Sequence, residues 1–438
     1  MTTTQILAPR YPLTAPREHA REGWAYACLR ALVLCLLFSI IFLPEFSRES
    51  SAALLPAYSK ALADFRFVDL AILFIVFCHA VALGCLRRKR VYFPGPLAAP
   101  GLGFLGCIAI AAGYGYRHGG SNFFFDWRGL ALGIGLYLVW SFWMQDPLSV
   151  GAALRVFLSY LGVRIALLYV LYLAGRSDTL LGVFIPIFDG PVLSCIVFAA
   201  LLAFCFRDFA RDRRSRMLWS AFAVAAYLLV LLCLRRTYWG ELGVGTLILL
   251  LLKKRDRLRS FILLAIAIAV AAGVLGSSFS GRLRSLDLTG ENTQFSADNA
   301  DHLYDLLDAW NQVRQSPVMG IGLGTSYPTW RIRNWKPESV MVHNAPLHVW
   351  LKYGMAGLVC YLWFHLALLR WLYRGAKSAV SPHARFLSVA LAYLAAQFVM
   401  TLGFAPWPYS ELQLTTLMSF ILAAAVMGER QPALSPRP

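Results

Sequence analysis

The feature that most constrains this chain is the recurrence, from end to end, of runs of about 20 apolar residues joined by short polar segments. A run of that length buries itself in hydrocarbon. There, each backbone N–H and C=O must be paired within its own segment, which selects the helix. The expected fold class is therefore all-α: a polytopic membrane protein. Composition agrees, with 58% of the 438 residues hydrophobic and 15% charged, where a soluble domain carries about 25% charge.

Spans are expected near 25–45, 67–86, 95–115, 129–145, 152–174, 190–206, 218–234, 239–252, 260–277, 345–370, 385–403 and 411–427, about twelve in all. The domain layout is then a cytoplasmic tail over 1–24, nine spans within 25–277, a long loop at 278–344, three spans within 345–427 and a second cytoplasmic tail at 428–438. The first 23 residues are polar and carry Arg10, Arg17 and Arg21. No small-residue cleavage site follows closely behind the first apolar run, so no cleaved signal peptide is expected.

The formal net charge is +18, and the cations cluster in short joints: Arg87–Arg90, Arg207–Arg216, Lys253–Arg259 and Arg370–Arg385. That clustering follows the positive-inside rule and fixes an orientation with the N-terminus in the cytoplasm. It also removes the case for nucleic acid as a partner. The segments left outside are 46–66, 116–128, 175–189, 235–238, 278–344 and 404–410, of which 278–344 is far the longest. All nine cysteines lie in apolar runs without metal-type spacing, as buried small hydrophobes do. No Asp/Glu pair with metal-ligand spacing falls in the outer segments, so neither a metal nor another cofactor is expected.

Within the long loop, residues 301–314 are amphipathic, with Leu303, Leu306, Leu307 and Trp310 on one helical face. A helix lying on the membrane surface or on the bundle is expected there. It ends at Pro317, before Gly320, Gly322 and Gly324. The spacing of these glycines is wrong for a dinucleotide fingerprint and favours a tight turn, whose amides could still meet an anion. Arg235 and Arg236 end one span and open the next on the outer side, where the charge rule expects few cations; their planar guanidinium groups suit a phosphate. Arg282, Arg284 and His302 are further loop cations or titratable groups. His343 and Asn344 stand where the loop re-enters the membrane, and a histidine there can titrate near neutrality and reach a substrate at the lipid surface. A polar cap for the next helix is the simpler alternative. Arg164, Arg128 and Lys352 lie in or beside spans, where cations usually face a cavity or a partner.

Three of these stretches occur in an order that resembles the O-antigen ligase/polymerase superfamily of bacterial membrane glycosyltransferases. They are Arg236–Thr237 opening a short span, Pro317 to Gly324 after an amphipathic segment, and His343–Leu347 followed by Gly354 and Gly357. Together they cover roughly 235–360; the N-terminal half is similar only as a set of spans. The resemblance implies a fold like that of C-type glycosyltransferases and a place in the bacterial inner membrane, with the active site on the periplasmic side. It implies a glycan donor linked to undecaprenyl diphosphate and an acceptor hydroxyl on lipid A-core, a growing glycan or a protein.

By that likeness Arg236, with Arg235 and a loop cation, would stabilise the departing diphosphate, and His343 would orient or deprotonate the acceptor. Arg164, Asn344 and Lys352 would help bind diphosphate or glycan. Members of the superfamily commonly carry an arginine about fifteen residues before the proline. Here His302 stands at that place; either it substitutes, or Arg282, Arg284 or Arg314 supplies the charge. A ligase acting on lipid A-core is the first expectation, because the chain ends soon after its last span, with a repeat-unit polymerase close behind. A lipid-linked glycan flippase or transporter is the rival from another class and would need charged or broken helices at midplane. A scaffold for polysaccharide assembly is a third.

Overall fold

Long apolar stretches with helix-compatible ends set the architecture. Proline stands in the first turn of five helices (Pro96, Pro147, Pro191, Pro346 and Pro382), where its missing N–H costs nothing. In the computed structural model the described residues are 31–33, 35, 60–62, 65–85, 91–118, 123–144, 147–173, 179–180, 183–184, 190–207, 210, 212–233, 236–252, 293–329, 338–339, 342–378, 382–403 and 412–430. Among them the helices are α1 (Phe67–Cys85), α2 (Gly95–His118), α3 (Phe123–Trp143), α4 (Pro147–Leu173), α5 (Gly190–Phe206) and α6 (Arg213–Leu232). There follow α7 (Arg236–Leu252), α8 (Thr293–Gln315), α9 (Ala345–Ser378), α10 (Pro382–Gly403) and α11 (Leu412–Arg430). Three two-stranded antiparallel pairs complete the described structure.

Among the described residues, five segments are long and apolar enough to cross a membrane: Gly95–His118, Ala153–Leu171, Arg213–Leu232, Ala345–Lys377 and His383–Leu402. Shorter apolar helices cover Leu70–Ala82, Gly129–Trp143, Val192–Phe206, Thr237–Leu252 and Leu414–Val426. The chain is an all-α, multi-pass membrane protein. The expected ninth span, 260–277, lies outside the described residues, as does most of the first. Several helices outrun the apolar run that announces them: α3 begins at Phe123 and α4 at Pro147, and α9 continues to Ser378. Hydropathy marks only the part matched to hydrocarbon, whereas the helix continues while its backbone can pair.

Helix α5 is the axis of the bundle. From Val192 to Cys205 every residue is buried, as expected of a helix apolar on all sides. Around it, α5 packs on α6, α10 on α7 and α9, α11 on α3, and α9 on α2. A polar knot interrupts this core. Ser194 on α5 donates to Glu241 Oε1 on α7 at 2.8 Å, and Gln397 Nε2 on α10 donates to the same oxygen at 2.8 Å. Tyr393 OH lies 3.0 Å from Ser194 Oγ. A buried carboxylate so held fixes the mutual register of three helices. At another end, Asp212 caps α6 by accepting the Ser215 hydroxyl at 2.8 Å and the Ser215 N–H at 2.9 Å. These two bonds hold its carboxyl below the usual carboxylate range.

Candidate active site at the loop end of the bundle

The site is built on a helix that breaks. Gly354 in α9 has φ +70° and ψ −175°, and a helix with such a residue cannot continue its hydrogen-bond ladder. The freed carbonyls find partners in the glycine-rich turn: Ile321 N donates to Leu351 O at 2.7 Å and Gly322 N to Lys352 O at 3.2 Å. In exchange, Met355 N donates to Pro317 O at 3.1 Å. Gly320, Gly322 and Gly324 all have φ between 70° and 84°, so the tight-turn expectation holds. The turn amides do meet an anion, but an internal one: Gly324 N donates to Asp126 Oδ2 on α3 at 2.8 Å. Lys352 closes this junction. Its ammonium lies 2.7 Å from Asp126 Oδ2 and donates to Thr325 O at 2.5 Å, and its side chain is fully buried. Lys352, expected as a substrate-binding cation, is thus engaged with protein groups.

Helix α8 forms where amphipathicity places it, but its outward face is the apolar one. Leu303, Leu307 and Trp310 are 56%, 47% and 41% exposed, while Asp305, Ala309 and Val313 are buried. The small Ala309 lets α8 approach the bundle, and Asp305 gives that face a polar anchor. Asp305 Oδ1 accepts the Tyr327 hydroxyl at 2.9 Å. Its Oδ2 accepts the His343 backbone N–H at 3.1 Å and lies 3.0 Å from His343 Nδ1. Tyr327 belongs to a short hairpin in which Tyr327–Pro328 pairs with Glu338–Ser339. The His343 side chain stays 29% exposed, against 1% for Asp305. His348 points inward, buried, with Val342 N 3.5 Å from its Nδ1.

Asn344 performs the capping role. Its Oδ1 accepts Leu347 N at 2.9 Å at the start of α9, and its Nδ2 donates to Leu402 O at 2.5 Å. The second bond places His343 at the C-terminal turn of α10. Helix α7 reaches the same turn by its register. A methyl group on Gly240 would sit 2.6 Å from Met400 Sδ, Glu241 meets Gln397, and a methyl on Gly245 would lie 3.5 Å from Ala392 O. Rising residue numbers on α7 face falling ones on α10, so the two run antiparallel. Arg236, the first residue of α7, is four residues before Gly240, about 6 Å along the axis. That brings it level with the end of α10 and so with Asn344. Two positions more than a hundred residues apart in sequence share one end of the bundle.

Arg164 is buried in α4, whose main neighbours are α5 and α6. His302 falls within α8, three residues before Asp305, and only its backbone is described; the same holds for Arg236. Arg235, Arg282 and Arg284 lie outside the described residues. Among the described residues no three His, Cys, Asp or Glu side chains form a metal-binding group. Asp305, Tyr327 and Asp126 were not singled out by the sequence. For Asp305 the signal was there in its four-residue spacing from Ala309 and Val313, which places an acid on a small-residue face.

Residues 224–362 match the family model described as O-antigen ligase. Over this stretch the chain is similar to the O-antigen ligase superfamily. The matched stretch takes in the end of α6, all of α7 and α8, the glycine turn, His343 and the first half of α9. It supports a membrane glycan-transfer function. No curated protein matches the chain.

Proposed function

We propose that the protein is an O-antigen ligase, moving a glycan from undecaprenyl diphosphate to a hydroxyl of lipid A-core at the periplasmic face of the inner membrane. What carries this reading is a partly exposed histidine, backed by a buried carboxylate, at the same end of α10 where α7 opens with Arg236. In the reaction the bond between the anomeric carbon and the diphosphate oxygen breaks, and its electron pair leaves with the diphosphate. The acceptor oxygen forms the new bond to that carbon and gives its proton to His343. Negative charge grows on the leaving diphosphate. Arg236, with Arg235 and one of Arg282, Arg284 or His302, stabilises it by fixed positive charge that needs no reorganisation. The diphosphate enters from the bilayer, so the site opens beside the lipid.

Deletion of the gene tests this directly. Loss of all long-chain lipopolysaccharide, with lipid-linked glycan accumulating, is the expected result. Core carrying a single repeat unit would make the protein a polymerase of the same superfamily. The purified protein is also expected to transfer glycan between defined substrates without an ion gradient; transport of the lipid-linked glycan with no transfer would make it a flippase.

A further inference from the structure

We infer that Asp305 is the positioning residue that makes His343 a base, holding the ring in the tautomer whose lone pair lies on Nε2. The inference rests on the transferase function proposed above. Three separate pieces of chain converge on this one carboxylate: α8 carries it, the Tyr327 hairpin donates to Oδ1, and the entry to α9 brings both the backbone N–H and the ring of His343 to Oδ2. Asp305 is 1% exposed, in line with Ala309 and Val313 on the face that α8 turns to the bundle. A carboxylate on such a face costs stability unless it is fully hydrogen-bonded, and a hydrophobe would pack there at no such cost.

The hold is two-pointed. Fixing the amide and the ring of the same residue to one oxygen leaves the histidine side chain little rotational freedom. An ionised carboxylate only accepts, so Nδ1 must carry the proton and the neutral ring keeps its lone pair on Nε2. When Nε2 takes the proton of the acceptor hydroxyl, the ring becomes an imidazolium. Asp305 stabilises that cation without taking its proton, which passes on to the departing diphosphate or to water. Tyr327 keeps the carboxylate from rotating away.

The test uses the full chain in lipid nanodiscs, with undecaprenyl-diphosphate-linked O-antigen as donor and O-antigen-free lipopolysaccharide as acceptor. Histidine is labelled with 15N, and the His343 signals are identified by their loss in His343→Gln. Wild-type protein is expected to show His343 protonated at Nδ1. Asp305→Asn, nearly equal in volume, is expected to lower kcat about 100-fold at unchanged donor KM and to shift His343 toward the Nε2-protonated form. Tyr327→Phe is expected to lower kcat less, with the tautomer kept. Val313→Ala, which loosens α8 without touching the carboxylate, is expected to keep both. Wild-type His343 protonated at Nε2 overturns the inference, whatever the variants do. So does Asp305→Asn with wild-type kcat, or with reduced kcat and an unchanged tautomer, which would reduce Asp305 to a fold-keeping role. Wild-type protein with the expected tautomer but no transfer overturns the transferase function and leaves the Asp305 hold standing.

Discussion

At the scale of single residues, a sealed ion pair and a partly open histidine predict different outcomes when replaced. Lys352 and Asp126 are both removed from solvent and paired at 2.7 Å. Loss of one partner strands the other, at a cost of about 3–5 kcal/mol. Lys352→Met is therefore expected to lower thermal stability sharply, and Lys352→Met with Asp126→Leu to regain most of it. Equal instability of the single and double variants in a detergent melt would contradict this. His343 behaves otherwise, since its side chain stays partly open. His343→Ala is expected to lower kcat by about 10²–10⁴-fold with a melting temperature close to wild type. Arg236→Lys keeps the charge but loses the planar fork; it is expected to weaken transfer at least about tenfold, measured as kcat/KM. His343 stood out in the sequence because it lies at a membrane entry. Lys352 stood out as a cation in or beside a span; which group it faces was not legible, because its partner Asp126 is more than two hundred residues away.

At the scale of elements, the broken helix and the glycine turn form one unit. A methyl group at Gly354 would lie 2.0 Å from Val318 O, and its φ of +70° disfavours any side chain. Gly354→Ala is expected to cost about 2 kcal/mol or more from backbone strain and overlap together. Because the turn and α9 exchange hydrogen bonds, the same substitution should loosen 316–324. Hydrogen exchange of the amides of Ile321 and Gly322 measures this, and unchanged protection would refute the exchange. The sequence announced the turn, since three alternating glycines need no partner to be recognised. It did not announce the break, because a lone glycine in an apolar run is compatible with continuous helix. It marked α8 as helical but left open which surface it lies on. Periodicity groups apolar residues; it does not say whether a leucine stripe faces the bundle or the lipid.

At the scale of the whole molecule, the contact of α7 with α10 decides whether a site exists. Gly240 lets the helices approach over Met400, and the Glu241–Gln397 bond sets their register. Gly240→Leu is expected to push α7 away, costing about 1–3 kcal/mol, and to impair transfer although Arg236 and His343 are both intact. Full transfer by a folded Gly240→Leu protein would show that the two need not share the end of α10. By itself, the sequence determined the helical membrane class and where the described apolar helices fall, because hydrocarbon length and backbone pairing act locally. It also marked the amphipathic helix and the glycine turn, which short-range periodicity and backbone freedom make visible. The tertiary structure alone decided that Lys352 is locked to Asp126, that α8 turns Asp305 inward, and that Asp305 grips His343. It alone brought the start of α7 to the same end of α10 as His343. Each of these depends on packing between segments distant in the chain, and no local pattern of residues encodes that.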